Sequence, residues 1–71
     1  RQTIADLLDQ LPQREREILS LRFGLETGRS LSLSQTGVQM QMSRERVRQL
    51  ERQALAFLRR RAERQALVFE L

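Results

Sequence analysis

From Arg44 to Leu71 the chain contains neither proline nor glycine, and this uninterrupted stretch constrains everything that can form around it. Ser43 precedes it as a candidate N-cap, whose hydroxyl can accept from the free amides of a first turn. Arg46 stands at the third helical position instead of Glu or Gln, so the cap lacks a capping box. Val47, Leu50, Ala54 and Leu58 follow at steps of three and four, which predicts one buried stripe on a helix running through Arg61 or beyond. Arg44, Glu45, Arg48, Gln49 and Arg52 fall off that stripe. Their guanidinium, carboxylate and amide groups suit base edges and phosphates. They equally suit a solvated, charged face on a structural helix.

Upstream, Thr3 can cap a short helix from Ile4 to about Gln10, with Asp6 in its first turn to suit the helix dipole. Ile4, Leu7, Leu8 and Leu11 make its apolar face. Pro12 suits a first helical position, where its missing amide has no partner to lose, and predicts a second helix from Pro12 to about Phe23. The buried face of that helix is read as Ile18, Leu21 and the stem of Arg22, with Leu19 and Phe23 beside them. Arg14, Glu15, Arg16 and Glu17 read as a solvated, salt-linked face. Gly24 is the expected left-handed stop. A loop follows over residues 25–31. Ser32 can cap a third helix from Leu33 to about Met40, and Gln41 and Met42 form a tight turn before Ser43. Gly37 lies inside the third helix, where glycine is unfavourable by roughly 1 kcal/mol relative to alanine, so a close approach by another backbone is expected.

The pattern predicts an all-α fold: a single four-helix domain over residues 1–71, ending in a helix-turn-helix with a long recognition helix. Its two parts are residues 4–25 and the helix-turn-helix over residues 31–62, with an apolar tail over residues 63–71 that is expected to continue as helix. The chain has 71 residues and begins with Arg, so a piece of a longer protein is expected. That length supports one small core and leaves little room for an enzyme cleft. Neither Cys nor His occurs, which removes disulfides, zinc sites of the usual ligands and the usual general base. No cofactor or metal is expected. No apolar run approaches a membrane span and no signal peptide is visible, so a cytoplasmic protein with no membrane partner is expected.

All 13 basic residues are Arg, and they are unevenly placed. Residues 1–42 hold five Arg against five acids, whereas residues 43–64 hold eight Arg against three. Positive charge concentrated on the last third of the chain is the footprint of nucleic-acid binding, and it also fits an acidic protein partner. Residues 33–50 meet the demands of a helix-turn-helix: Gly37 where the second helix crosses, Met40 and Met42 flanking the turn, and Val47 and Leu50 anchoring the second helix.

These residues carry a resemblance. LPQREREILSLRFGL (11–25), then LSLSQTGVQMQMSRERVRQLERQALAFLR (31–59), resembles region 4 of the bacterial sigma-70 family of RNA polymerase specificity factors. The first block is similar to the family's region 4.1 and the second to region 4.2. LPxREREIL, RFGL and SRERVRQ in this order look like the primary or primary-like branch. The resemblance implies a domain that recognises the promoter −35 element, TTGACA, in the DNA major groove while docked on the flap of the polymerase β subunit. It implies Arg44, Glu45 and Gln49 as base readers, and Leu33, Ser34, Ser43, Arg46 and Arg48 as phosphate contacts. Arg46 has a surface ion pair with Glu45 or Glu51 as its alternative role. Leu7, Leu8, Leu11, Ile18, Leu21 and Phe23 become candidates for the flap surface, with core packing as the alternative for each. Arg52 and Arg59, with Arg48, lie where an activator's acidic patch would reach, and anti-sigma factors are further candidate partners.

The chain departs from the family pattern at Thr36, Val38, the Ser34 and Gln35 pair, and Phe57. The tail carries Ala66, Leu67, Val68, Phe69 and Leu71 and is expected to pack against Phe57 or dock on a partner. Two other readings remain open: a sigma-like interaction module held by an anti-sigma factor or regulator, and a free-standing helix-turn-helix regulator.

Overall fold

The computed structural model describes residues 3–70, and the side chains of residues 3 and 5–64. It is helical, in the order α1 (Ile4–Asp9), α2 (Gln13–Phe23), α3 (Leu33–Met40) and α4 (Arg44–Glu70). The 27 residues of α4 extend for about 40 Å. All three other helices pack on it.

Each helix starts where its local chemistry permits. Thr3 Oγ1 accepts from the Asp6 amide at 3.2 Å, and the Asp6 carboxylate accepts from the Thr3 amide at 3.1 Å. This closes a capping box in which Asp takes the place usually held by Glu or Gln. Pro12, expected as the first helical residue, is instead the N-cap of α2, with φ −53° and ψ 148°. Its ring fixes φ but leaves ψ free, and an extended ψ keeps it outside the helix. Gly24 ends α2 in the left-handed region at φ 62°. A Cβ there would lie 2.7 Å from the Arg29 backbone, because the loop folds back over this position.

Two apolar clusters meet along α4. Leu11, Leu19 and Ala54 form one, with Leu8, Leu55, Phe57 and Leu58 against it. Ile18, Val47 and Leu50 form the other, with Leu33, Met40 and Met42 packed around them. The Val47, Leu50, Ala54 and Leu58 stripe therefore serves both clusters.

The second helix differs from its sequence reading in three ways. Its buried seam is Ile18 and Leu19, while Leu21 is only half-buried and Phe23 is 52% exposed. Phe23 is the last residue of α2, and the chain turns away at Gly24 without covering it. Finally, the described residues hold two ion pairs, Arg22–Glu51 and Arg48–Glu45, so the charges at the start of α2 are not salt-linked; Arg16 donates instead to the Leu11 carbonyl at 3.4 Å and Glu17 accepts from the Gln13 side chain at 3.0 Å.

The helix continues to Glu70. The expected contact between the tail's apolar side chains and Phe57 lies outside the described side chains. Phe57 itself packs on the first cluster, with the Arg61 guanidinium 5.2 Å from its ring centroid. No helix among the described residues is long and apolar enough to cross a membrane.

Candidate nucleic-acid interface

Two helices and a turn, residues 32–50, build the surface. Ser32 Oγ accepts from the Gln35 amide at 3.0 Å, and the Gln35 side-chain oxygen accepts from the Ser32 amide at 2.8 Å. This capping box was missed in the sequence, although Ser-x-x-Gln is its signature. Gly37 is fully within the packed face, and a Cβ there would lie 2.6 Å from the Met42 carbonyl oxygen. The close approach expected of this glycine is therefore the turn's own backbone. Gln41 makes the turn in the left-handed region at φ 58°, and the Met42 amide donates back to the Gly37 carbonyl at 2.8 Å. Ser43 Oγ then caps α4 by accepting from the Arg46 amide at 3.0 Å.

With Val47 and Leu50 buried, the opposite face of the first α4 turns is fixed outward. Arg44, Glu45 and Gln49 are exposed there and Arg48 is half-exposed, while Arg46 is exposed on the flank beside Leu50. Arg48 and Glu45 form a two-pronged pair, Nε to Oε1 at 3.0 Å and Nη2 to Oε2 at 2.5 Å. The hydrogen bond from Arg48 holds the Glu45 carboxyl below its ordinary range, helped by the charges of Arg48, Arg44 and Arg52. The same pairing raises the Arg48 guanidinium above its ordinary value. Arg46, for which an ion pair with Glu45 or Glu51 was the alternative, instead reaches the Gln49 side-chain oxygen, at 3.4 Å. At 100° per residue, Arg44, Arg48, Arg52 and Arg59 fall within a stripe about 80° wide. Arg52 and Arg59 line a shallow hollow with Gln53, Leu55 and Ala56.

The remaining candidates divide by burial. Leu33 is half-buried in the second cluster, so what it offers a phosphate is its backbone amide, which helix geometry leaves free along with that of Ser34. The Ser43 hydroxyl oxygen is occupied by its cap, but its proton can still be donated. Leu7, Leu11 and Ile18 are 7%, 4% and 0% exposed and pack in the core, the alternative given for each. A chain this small needs them to hold α1 and α2 on α4. Leu8 and Leu21 are half-buried and Phe23 is exposed.

One residue pair escaped the sequence reading. Arg22 was expected to contribute only its stem. Its guanidinium donates to Glu51 Oε1 at 2.5 Å and to the Leu31 carbonyl at 2.7 Å, joining α2, α4 and the chain entering α3. No local signal announces a contact between residues 29 positions apart.

Comparison with known proteins decides the family. The family described as Sigma-70, region 4 matches residues 7–60. The chain belongs to the sigma-70 region 4 family. This is a DNA-binding transcription-factor domain and not an enzyme family. The chain is 45% identical over 62 residues to the RNA polymerase sigma factor SigA2 of Synechococcus elongatus, covering 87% of the chain. It is 52% identical over 59 residues to the RNA polymerase sigma-B factor of a Nostoc species, and 44% identical over 59 residues to the RNA polymerase sigma factor SigA of a Bacillus species, each covering 83% of the chain. The chain spans 19%, 18% and 16% of the lengths of these three relatives.

Proposed function

We propose that this region 4 domain places the first turns of α4 in the major groove of the promoter −35 element and docks on the RNA polymerase β-subunit flap, serving transcription initiation in the cytoplasm. One observation carries the reading: Arg44, Glu45 and Gln49 are exposed together, on the face of α4 opposite the buried Val47 and Leu50. Arg44 can donate to guanine O6 and N7, Glu45 can accept from cytosine N4, and Gln49 can do either. Arg46, Ser43 and the first amides of α3, at Leu33 and Ser34, supply phosphate contacts that fix register without reading sequence. Arg48 reaches a phosphate with whatever donors its Glu45 pairing leaves. Leu8, Leu21 and Phe23 are the surface side chains left for the flap, and Arg52 and Arg59 face an activator or anti-sigma factor.

The test is equilibrium binding to a TTGACA duplex and to a scrambled duplex across a salt series, with and without a flap fragment. The reading predicts a preference for TTGACA that persists as salt rises, and tighter binding with the flap. A steep salt slope with no preference between duplexes marks phosphate binding alone and rejects it.

A further inference from the structure

We propose that Arg22 is a positioning residue for DNA recognition, whose guanidinium fixes the α3 N-terminus relative to the base-reading face of α4. The inference rests on the reading that α3 contacts phosphate and α4 contacts bases.

Arg22 belongs to neither helix of the helix-turn-helix. Its Nε donates to Glu51 of α4 at 2.5 Å and its Nη1 to the Leu31 carbonyl at 2.7 Å. Both side chains of the pair are largely shielded, at 24% exposed for Arg22 and 14% for Glu51. Leu31 is also held from its other side, because its amide donates to the Leu21 carbonyl at 3.0 Å. The peptide groups immediately before the Ser32 cap are thus clamped to α2 through donor and acceptor alike. Ser32 in turn sets where the free amides of α3 point.

The division of labour in DNA binding gives this clamp its consequence. Phosphate contacts set the register and base contacts read sequence. Here the two come from different helices, so their separation must be held to a fraction of an ångström. The turn at Gly37 and Met42 fixes the far end of α3 against α4. Arg22 fixes the near end. The job requires a planar fork that serves two acceptors in different directions, which the point charge of lysine does not reproduce.

The test uses the 71-residue chain with Arg22→Lys, Arg22→Ala and Glu51→Gln, at a temperature where circular dichroism shows every variant folded. Affinity is measured for the TTGACA duplex and for a scrambled duplex. Arg22→Lys keeps the net charge, so it should bind the scrambled duplex as the parent does while losing about tenfold on TTGACA, within the range a single mismatched base pair produces. Glu51→Gln keeps an acceptor in place and should retain most of the preference. Equal affinities of Arg22→Lys and parent for both duplexes overturn the proposal, as does an equal loss on both. A second readout needs no DNA: amide exchange at residues 31–35 should speed up in Arg22→Lys while α4 keeps its protection. Unchanged exchange there overturns the proposal. If the parent itself shows no preference for TTGACA, the base-reading function fails, and the exchange result alone decides whether Arg22 positions α3.

Discussion

Arg48 and Glu45, one turn apart on the exposed face of α4, meet fork to carboxylate at 3.0 and 2.5 Å. A residue assigned to phosphates thus holds a residue assigned to bases before any DNA arrives. The pair is exposed, so its contribution to folding is small and its effect is on the charge and direction of Glu45.

The pairing makes a pH prediction. The Glu45 carboxyl lies below its ordinary range in the folded chain, chiefly because Arg48 donates to it. A depressed carboxyl gives an interaction that is complete above the unfolded value and is lost as pH falls through the folded one. An NMR titration of the Glu45 side chain should therefore give a midpoint below that of an ordinary glutamate. Arg48→Ala should raise that midpoint towards the ordinary value, and an unmoved midpoint would show that Arg48 is not the cause.

Gly37→Ala tests the close approach at the turn. Alanine gains about 1 kcal/mol in helix propensity. Its Cβ, however, would meet the Met42 carbonyl oxygen at 2.6 Å, and a backbone atom cannot swing aside as a side-chain end can. Overpacking of this kind costs about 1–3 kcal/mol, so the net destabilisation reaches up to about 2 kcal/mol. Thermal unfolding followed by circular dichroism reads it directly; a variant more stable than the parent, showing the full propensity gain, would refute the contact.

Thr36→Val should act in the opposite direction. Thr36 is completely buried, and its hydroxyl has no hydrogen-bond partner. Valine keeps nearly the same shape and removes an unpaired polar atom, which should stabilise the domain by about 1 kcal/mol. In a domain of this size that raises the melting temperature by about 4–8 °C. A lower melting temperature would mean the hydroxyl is satisfied after all.

Much of the fold was legible because its punctuation is local. Thr3, Ser32, Ser43 and Gly24 act on amides and carbonyls within a few residues, so their chemistry is visible in the sequence. Gly37 was legible for the same reason: its partner, Met42, lies in the adjoining turn. The stripe on α4 followed from helical periodicity alone. What was not legible depends on how helices meet. Ile18 and Leu7 were candidates for a partner surface with core packing as the alternative, and the packing of the helices places them in the core. Phe23 was expected beside the buried face, but the chain leaves α2 before anything covers it. Arg22 and Glu51 come together only once α2 lies on α4. In the interface the residue types were readable from the sequence, but the pairing was not: Glu45 has Arg44, Arg46 and Arg48 within a turn of it, and it pairs with Arg48.

The central claim is that the exposed face at the start of α4 reads sequence. Its most direct test is the affinity of Arg44→Ala, relative to the parent, on TTGACA and on every single-base variant of it at one fixed salt concentration. A base reader predicts a loss of about 1–3 kcal/mol on TTGACA that disappears on variants of the base pair Arg44 contacts. A loss of the same size on every duplex would contradict the account and leave Arg44 as one more phosphate contact.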